Sequence, residues 1–257
     1  MKKFKAFLFI ELGDDMCGKK IITLIISFLI FMVLSMNARA QEFLVDLDFN
    51  VGAPQGEFAD EIDRLGWGLG LMGGYKIPET PLMVGLDFGF MNFGVDTRTE
   101  PLSTTIPDLT VEVENSYNLV TGNLLFRLTG PPSKFRPYVD GLFGFNYFFT
   151  QTVLRERGSF SDEDVLRDTN FDDTSLSYGF GTGVNLRVYD NKEQPETASE
   201  VSLGSVYLNA GVRYMFGREA EYLQEWSIST DNGNVTYDVS RSETDLLYFK
   251  FGVNFTF

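Results

Sequence analysis

The ionisable residues that could do chemistry in this chain are few and regularly placed. Asp46, Asp48, Asp87, Asp140 and Asp245 are matched by Lys76, Arg127, Arg187, Arg213 and Lys250, in stretches otherwise rich in Gly and Asn. Balanced charge of this kind suits a poorly hydrated interior, where an unpaired charge is costly. Two readings stay open: a structural ion-pair network that fills the interior, or a charged constriction for small ions. The chain has no His, the usual general base at neutral pH and the commonest metal ligand. Its one Cys, Cys17, excludes an internal disulfide or a thiolate zinc site. No Ser has an obvious base beside it. No catalytic residue, cofactor or metal is therefore expected, and the chain reads as a non-enzyme. An acidic cluster at Asp162, Glu163, Asp164, Asp168, Asp172 and Asp173 offers hard oxygen ligands for Ca²⁺. Its spacing does not match an EF-hand, and Arg155, Arg157 and Arg167 dilute it. A solvated acidic loop is the expected form. With 36 acidic and 21 basic residues the chain is net −15, which argues against nucleic acid as a partner.

The elements that must position these charges are strands. After residue 40 the apolar pattern has period two, which sends successive side chains to opposite faces. Eight segments show it. Phe43, Val45, Leu47, Phe49 and Val51 share a face in the first, opposite Asp46, Asp48 and Asn50. Leu247, Phe249, Phe251, Val253, Phe255 and Phe257 share a face in the last, opposite Lys250, Gly252 and Asn254. Between them lie segments around Trp67–Ile77, Leu82–Phe90, Val120–Leu128, Val139–Phe149, Tyr178–Val188 and Leu208–Phe216. The minor face is rich in Gly and carries about one or two ionisable groups per strand, unlike a water-facing surface. Small crowded residues fit the inside of a narrow barrel, and the Phe, Leu, Val and Tyr face fits lipid. The expectation is an all-β fold: an eight-stranded antiparallel up-and-down transmembrane β-barrel, closed because hydrocarbon tolerates no open edge. A soluble lipocalin-like barrel with the faces reversed is the alternative.

Long connections (54–65, 94–116, 155–175 and 217–243) alternate with shorter turns (78–81, 129–137 and 190–204). Each long connection is net −3 or −4. Long loops on one side are the habit of outer-membrane barrels, which places both termini on the periplasmic side. Asn232-Gly233 signals a type I′ turn. A continuous hairpin from that tip sets Phe216 against Phe249, Tyr214 against Phe251, Val212 against Val253 and Leu208 against Phe257, with like faces together.

The N-terminus reads as an address. Lys19 and Lys20 precede an apolar run from Ile21 to Met36, and Ala38-Arg39-Ala40 follows. The pattern predicts a signal peptide over residues 1–40, with cleavage after Ala40 and a barrel domain over residues 41–257. Glu11, Asp14 and Asp15 interrupt the charged region, so Met16 is a candidate start.

Together these features resemble the small outer-membrane β-barrel family, typified by the membrane domain of outer membrane protein A and by opacity-type surface proteins. The resemblance covers residues 41–257 and implies the cell outer membrane of a Gram-negative bacterium, lipid as the surrounding partner, and a monomer. Phe249, Phe251, Val253, Phe255 and Phe257 look like the family's C-terminal assembly signal, read by the barrel-insertion machinery. The expected role is structural or surface interaction through the acidic loops, and the alternative is a narrow channel for small solutes. The chain stops at its last strand, so no periplasmic peptidoglycan-binding domain is expected.

Overall fold

The computed structural model describes residues 43–103, 106–156, 166–191, 204–231 and 234–257. The signal segment, Asp162, Glu163, Asp164 and the Asn232-Gly233 tip lie outside them. The chain forms β1 (Phe43–Pro54), a one-turn helix α1 (Glu57–Glu61), β2 (Gly66–Lys76), β3 (Leu82–Ser103) and β4 (Ile106–Thr129). There follow β5 (Phe135–Glu156), β6 (Leu166–Asp190), β7 (Ser205–Gly217), β8 (Glu219–Asp231), β9 (Asn234–Glu243) and β10 (Leu246–Thr256). Eight of the strands close antiparallel in the order β1-β10-β7-β6-β5-β4-β3-β2, and β8 and β9 pair as a separate ribbon. Closure joins the start of β1 to the end of β10: Phe43 N donates to Phe257 O at 3.3 Å, and Phe257 N donates to Phe43 O at 2.9 Å.

The alternation of side chains decides which face is which. Trp67, Leu69, Phe143, Phe180 and Phe251 point outward and are 53–67% exposed. Asp46, Asp87, Arg127, Asp140, Arg213 and Lys250 point inward and are at most 6% exposed. A soluble barrel would place the large apolar residues inside, so the lipocalin-like alternative is excluded. An apolar belt on a closed barrel leaves no backbone group unpaired in hydrocarbon. The interior is less purely polar than the sequence reading implies. Met72, Met83, Leu125, Leu142 and Met215 are buried there as an apolar cluster between the polar groups.

Three of the long connections are largely β structure rather than loop. β3 and β4 stay paired from Gly94↔Tyr117 to Ser103↔Ile106, and β5 and β6 continue to Leu154↔Leu166. Four strands thus rise beyond the ends of the other four. Alternating polar and branched residues, as in Val95-Asp96-Thr97, suit such two-sided strands. A bulge lies between Asn92 and Gly94, where Asn92 Oδ1 accepts from Gly94 N at 3.0 Å and Gly94 has φ 147°. That backbone angle favours Gly. The extra residue, Phe93, turns inward with Met91, and the alternation switches so that Val95 is exposed and Asp96 buried.

The last hairpin corrects the predicted register. Asp231 does pair with Asn234, but β8 slips between Leu223 and Ile228. β7 and β10 are offset by four residues from the continuous hairpin: Val212 pairs with Phe249, Ala210 with Phe251 and Leu208 with Val253. An even offset preserves the faces, which is why face matching alone did not reveal it. The ribbon is not a straight extension of the barrel wall. It packs against β3, β4, β5 and β6, and Arg218 N donates to Leu176 O at 2.9 Å.

Candidate functional site

The interior is closed in two layers. The first is built on strand positions that alternate inward from β1, β3, β4, β5, β7 and β10. Arg127 holds Asp140 with two bonds, Nε to Oδ1 at 2.7 Å and Nη2 to Oδ2 at 2.9 Å. Its guanidinium also lies 3.8 Å over the Tyr138 ring. Arg213 bridges two carboxylates, donating from Nη1 to Asp87 at 2.8 Å and from Nη2 to Asp140 at 3.0 Å. Lys250 lies 2.6 Å from Asp48 and 3.3 Å from Asp87. Asn209 completes the layer: it accepts from Tyr138 Oη at 2.8 Å and donates to Asp46 at 2.9 Å and Asp48 at 3.2 Å. Asn254, with its amide turned to donate, reaches both Asp46 oxygens at 3.1 and 3.0 Å. The planar fork of Arg suits such shared carboxylates. Each charge in the layer has an opposite charge or a polar donor facing it, as burial in low dielectric demands.

The structure brings together seven of the ten charges read on the minor face: Asp46, Asp48, Asp87, Asp140, Arg127, Arg213 and Lys250. Arg187 sits apart, pairing with Asp190 at 3.1 Å in a half-exposed contact. Lys76 also lies away from this layer, lining a cavity of about 10 Å³ with Arg136, Asn185 and Tyr207. Asp245 corrects the sequence reading: it shares the outward alternation of β10, and its carboxylate accepts from Tyr214 Oη at 2.9 Å and Gly217 N at 3.1 Å. Tyr138 is not named in the sequence reading, and Asn209 and Asn254 are read there only as minor-face residues with no partner assigned. Their signal was present, since each lies on the same alternation as a predicted charge.

The second layer is apolar and lies at the end of the barrel where the long hairpins rise. Phe58, on α1, is fully buried and meets Phe93, Phe148 and Tyr222 edge-on, with ring centres 5.2–5.7 Å apart. Met91, Tyr117, Leu119, Ala220, Leu223 and Leu246 complete the cluster. Tyr222 Oη and Ser242 Oγ lie 2.7 Å apart. Burial pushes the Tyr222 hydroxyl up to about 12. At the rim Gln224 bonds Glu61 and Ser240, and Glu243 N donates to Glu57 at 3.3 Å. Between the two layers lies a cavity of about 20 Å³, the size of one or two water molecules. No group of acidic residues fit to hold a metal occurs among the described residues.

Residues 26–192 match the outer membrane protein beta-barrel domain. The chain belongs to that family. As an outer membrane β-barrel, it resides in the outer membrane of Gram-negative bacteria with lipid around its apolar belt. Solved structures to which the chain is similar include Neisserial surface protein A, 14% identical over 85% of this chain and 96% of that one, TM-score 0.38. The N-terminal β-barrel domain of Pseudomonas aeruginosa OprF is 13% identical over 83% and 97%, TM-score 0.35. The attachment invasion locus protein of Yersinia pestis is 14% identical over 84% and 97%, TM-score 0.32. No match is found among curated proteins.

Proposed function

We propose that this outer membrane β-barrel is a sealed membrane scaffold, with a structural or surface-interaction role carried by its acidic hairpins, and neither a channel nor an enzyme. The observation that carries the reading is the double closure of the lumen. An ion crossing it must break the Arg127–Asp140–Arg213–Asp87–Lys250 layer and then pass the cluster around Phe58. Removing one partner of a buried pair costs about 3–5 kcal/mol, which sets the scale on which the layer resists disruption. The long hairpins face the cell exterior, as in barrels of this kind. Their exposed residues include Asp172, Glu219, Glu221, Asp238 and Glu243, so the outer surface presents carboxylates to its surroundings.

Two further assignments belong to this reading. Residues 1–40 are removed on export, leaving Gln41 as the first residue of a monomeric barrel. Phe249, Phe251, Val253, Phe255 and Phe257 form the segment recognised by the insertion machinery. Planar-bilayer recording of the purified barrel tests the proposal. Silence is expected across a range of voltages, and discrete conductance steps would instead establish the narrow channel.

A further inference from the structure

The cavity between the two closing layers has a polar wall. It is lined by Asn50, Thr121, Asn123, Asn146, Asp87 and Lys250, among others. Three of its buried side-chain atoms have no hydrogen-bond partner among the described residues: Asn50 Oδ1, Asn123 Oδ1 and Asn146 Nδ2. Their residues are 6%, 7% and 2% exposed. A buried polar atom left unpaired costs about 1–3 kcal/mol, so three around one cavity call for a ligand.

The chemistry of the wall selects that ligand. Two of the unpaired atoms are acceptors and one is a donor. A water molecule donates twice and accepts, so a single water can answer all three. The volume of about 20 Å³ admits it, since about 10–15 Å³ suffices for one. A metal cation fits poorly, because the Asn146 amide presents a donor and the wall also carries the Lys250 ammonium and the Arg213 guanidinium. An anion fits poorly too, because two carbonyl oxygens and the Asp87 carboxylate face it. Gly70 helps position one wall: a Cβ there would lie 2.6 Å from Asn50 Nδ2.

We propose that Asn50, Asn123 and Asn146 form a binding site for one ordered water molecule, held between the ionic layer and the aromatic cluster. This water answers the three amide atoms left unpaired around the cavity.

A crystal structure of the refolded barrel, at a resolution that shows ordered water, tests the site. The expected result is one water peak within about 2.7–3.2 Å of all three amide atoms. Direct pairing of the three amides with one another, or a water touching only one of them, overturns the proposal. So does an anomalous peak at the site after a rubidium soak, which would make it a cation site. A second readout avoids crystals. In detergent-refolded protein the Asn146 side-chain amide should show a cross-relaxation peak to long-lived water, and Asn123→Leu should abolish it. Absence of that peak in the wild-type barrel, or its persistence in Asn123→Leu, contradicts the assignment.

Discussion

Arg213 is the residue whose loss should cost the ionic layer most, because it answers Asp87 and Asp140 together. Arg213→Ala leaves Asp87 with Lys250 alone and Asp140 with Arg127 alone. Urea unfolding of the refolded barrel should show a loss of about 3–5 kcal/mol. Arg187→Ala is the control: its contact with Asp190 is about 30% exposed, and the expected change is within about 1 kcal/mol. Equal effects of the two changes would mean that the ionic layer is not what holds the lumen. Tyr222 gives a pH-dependent test at the same scale. Its folded hydroxyl holds the proton more tightly than an unfolded Tyr, which titrates near about 10. The stability it contributes is fully present below about pH 10 and is lost as pH rises through about 12. The tyrosinate absorbance of the wild type minus that of Tyr222→Phe should therefore have a midpoint near 12, and a midpoint near 10 would place this hydroxyl in water. At this scale the sequence was partly legible. Asp46, Asp48, Asp87, Asp140, Arg127, Arg213 and Lys250 could be read from alternation alone. Tyr138 and Asn209 could not be ranked above other inward residues, because their value lies in partners more than 70 positions away in the chain.

The element that the sequence left least defined is the β8–β9 ribbon with α1. Its tip register was visible in Asn232-Gly233, but the slip between Leu223 and Ile228 leaves no mark in apolar periodicity. The placement of Phe58 was equally hidden: it is one aromatic residue in an acidic connection, and only the fold brings Phe93, Phe148 and Tyr222 around it. Phe58→Ala should remove about 3–5 kcal/mol from this cluster. Hydrogen exchange should speed up in α1 and β8 while the β1–β10 ladder keeps its protection. Uniform acceleration through the barrel would show instead that the cluster and the barrel unfold as one unit. The strands carry a second element-scale test. Val212 pairs with Phe249 and Thr182 on the lipid side, well inside the belt. Val212→Arg should destabilise the barrel refolded into lipid by about 2–4 kcal/mol, against about 0–1 kcal/mol for Phe257→Arg at the end of the wall. The reverse order would invert the depth assignment.

For the molecule as a whole, the architecture follows from one comparison of faces: a large apolar side and a small one of Gly, Asn and paired charge. That contrast was legible in the sequence because it repeats in eight strands. The height of the β3–β6 wall was not, because polar alternating ribbons such as Val95-Asp96-Thr97 look like loop when hydropathy is the guide. The central claim is that the outward face meets lipid and the inward face is sealed from water. The only thiol is Cys17, so a Cys17→Ser background allows one Cys at a time along β7. Spin labels at Leu208, Asn209, Ala210, Gly211 and Val212 in reconstituted barrel would read each position's access to dissolved oxygen and to a water-soluble nickel chelate. Oxygen access should peak at residues 208, 210 and 212, and the chelate should reach neither 209 nor 211. Chelate access at 209 and 211 would reveal a water-filled lumen, and a reversed oxygen pattern would turn the barrel inside out.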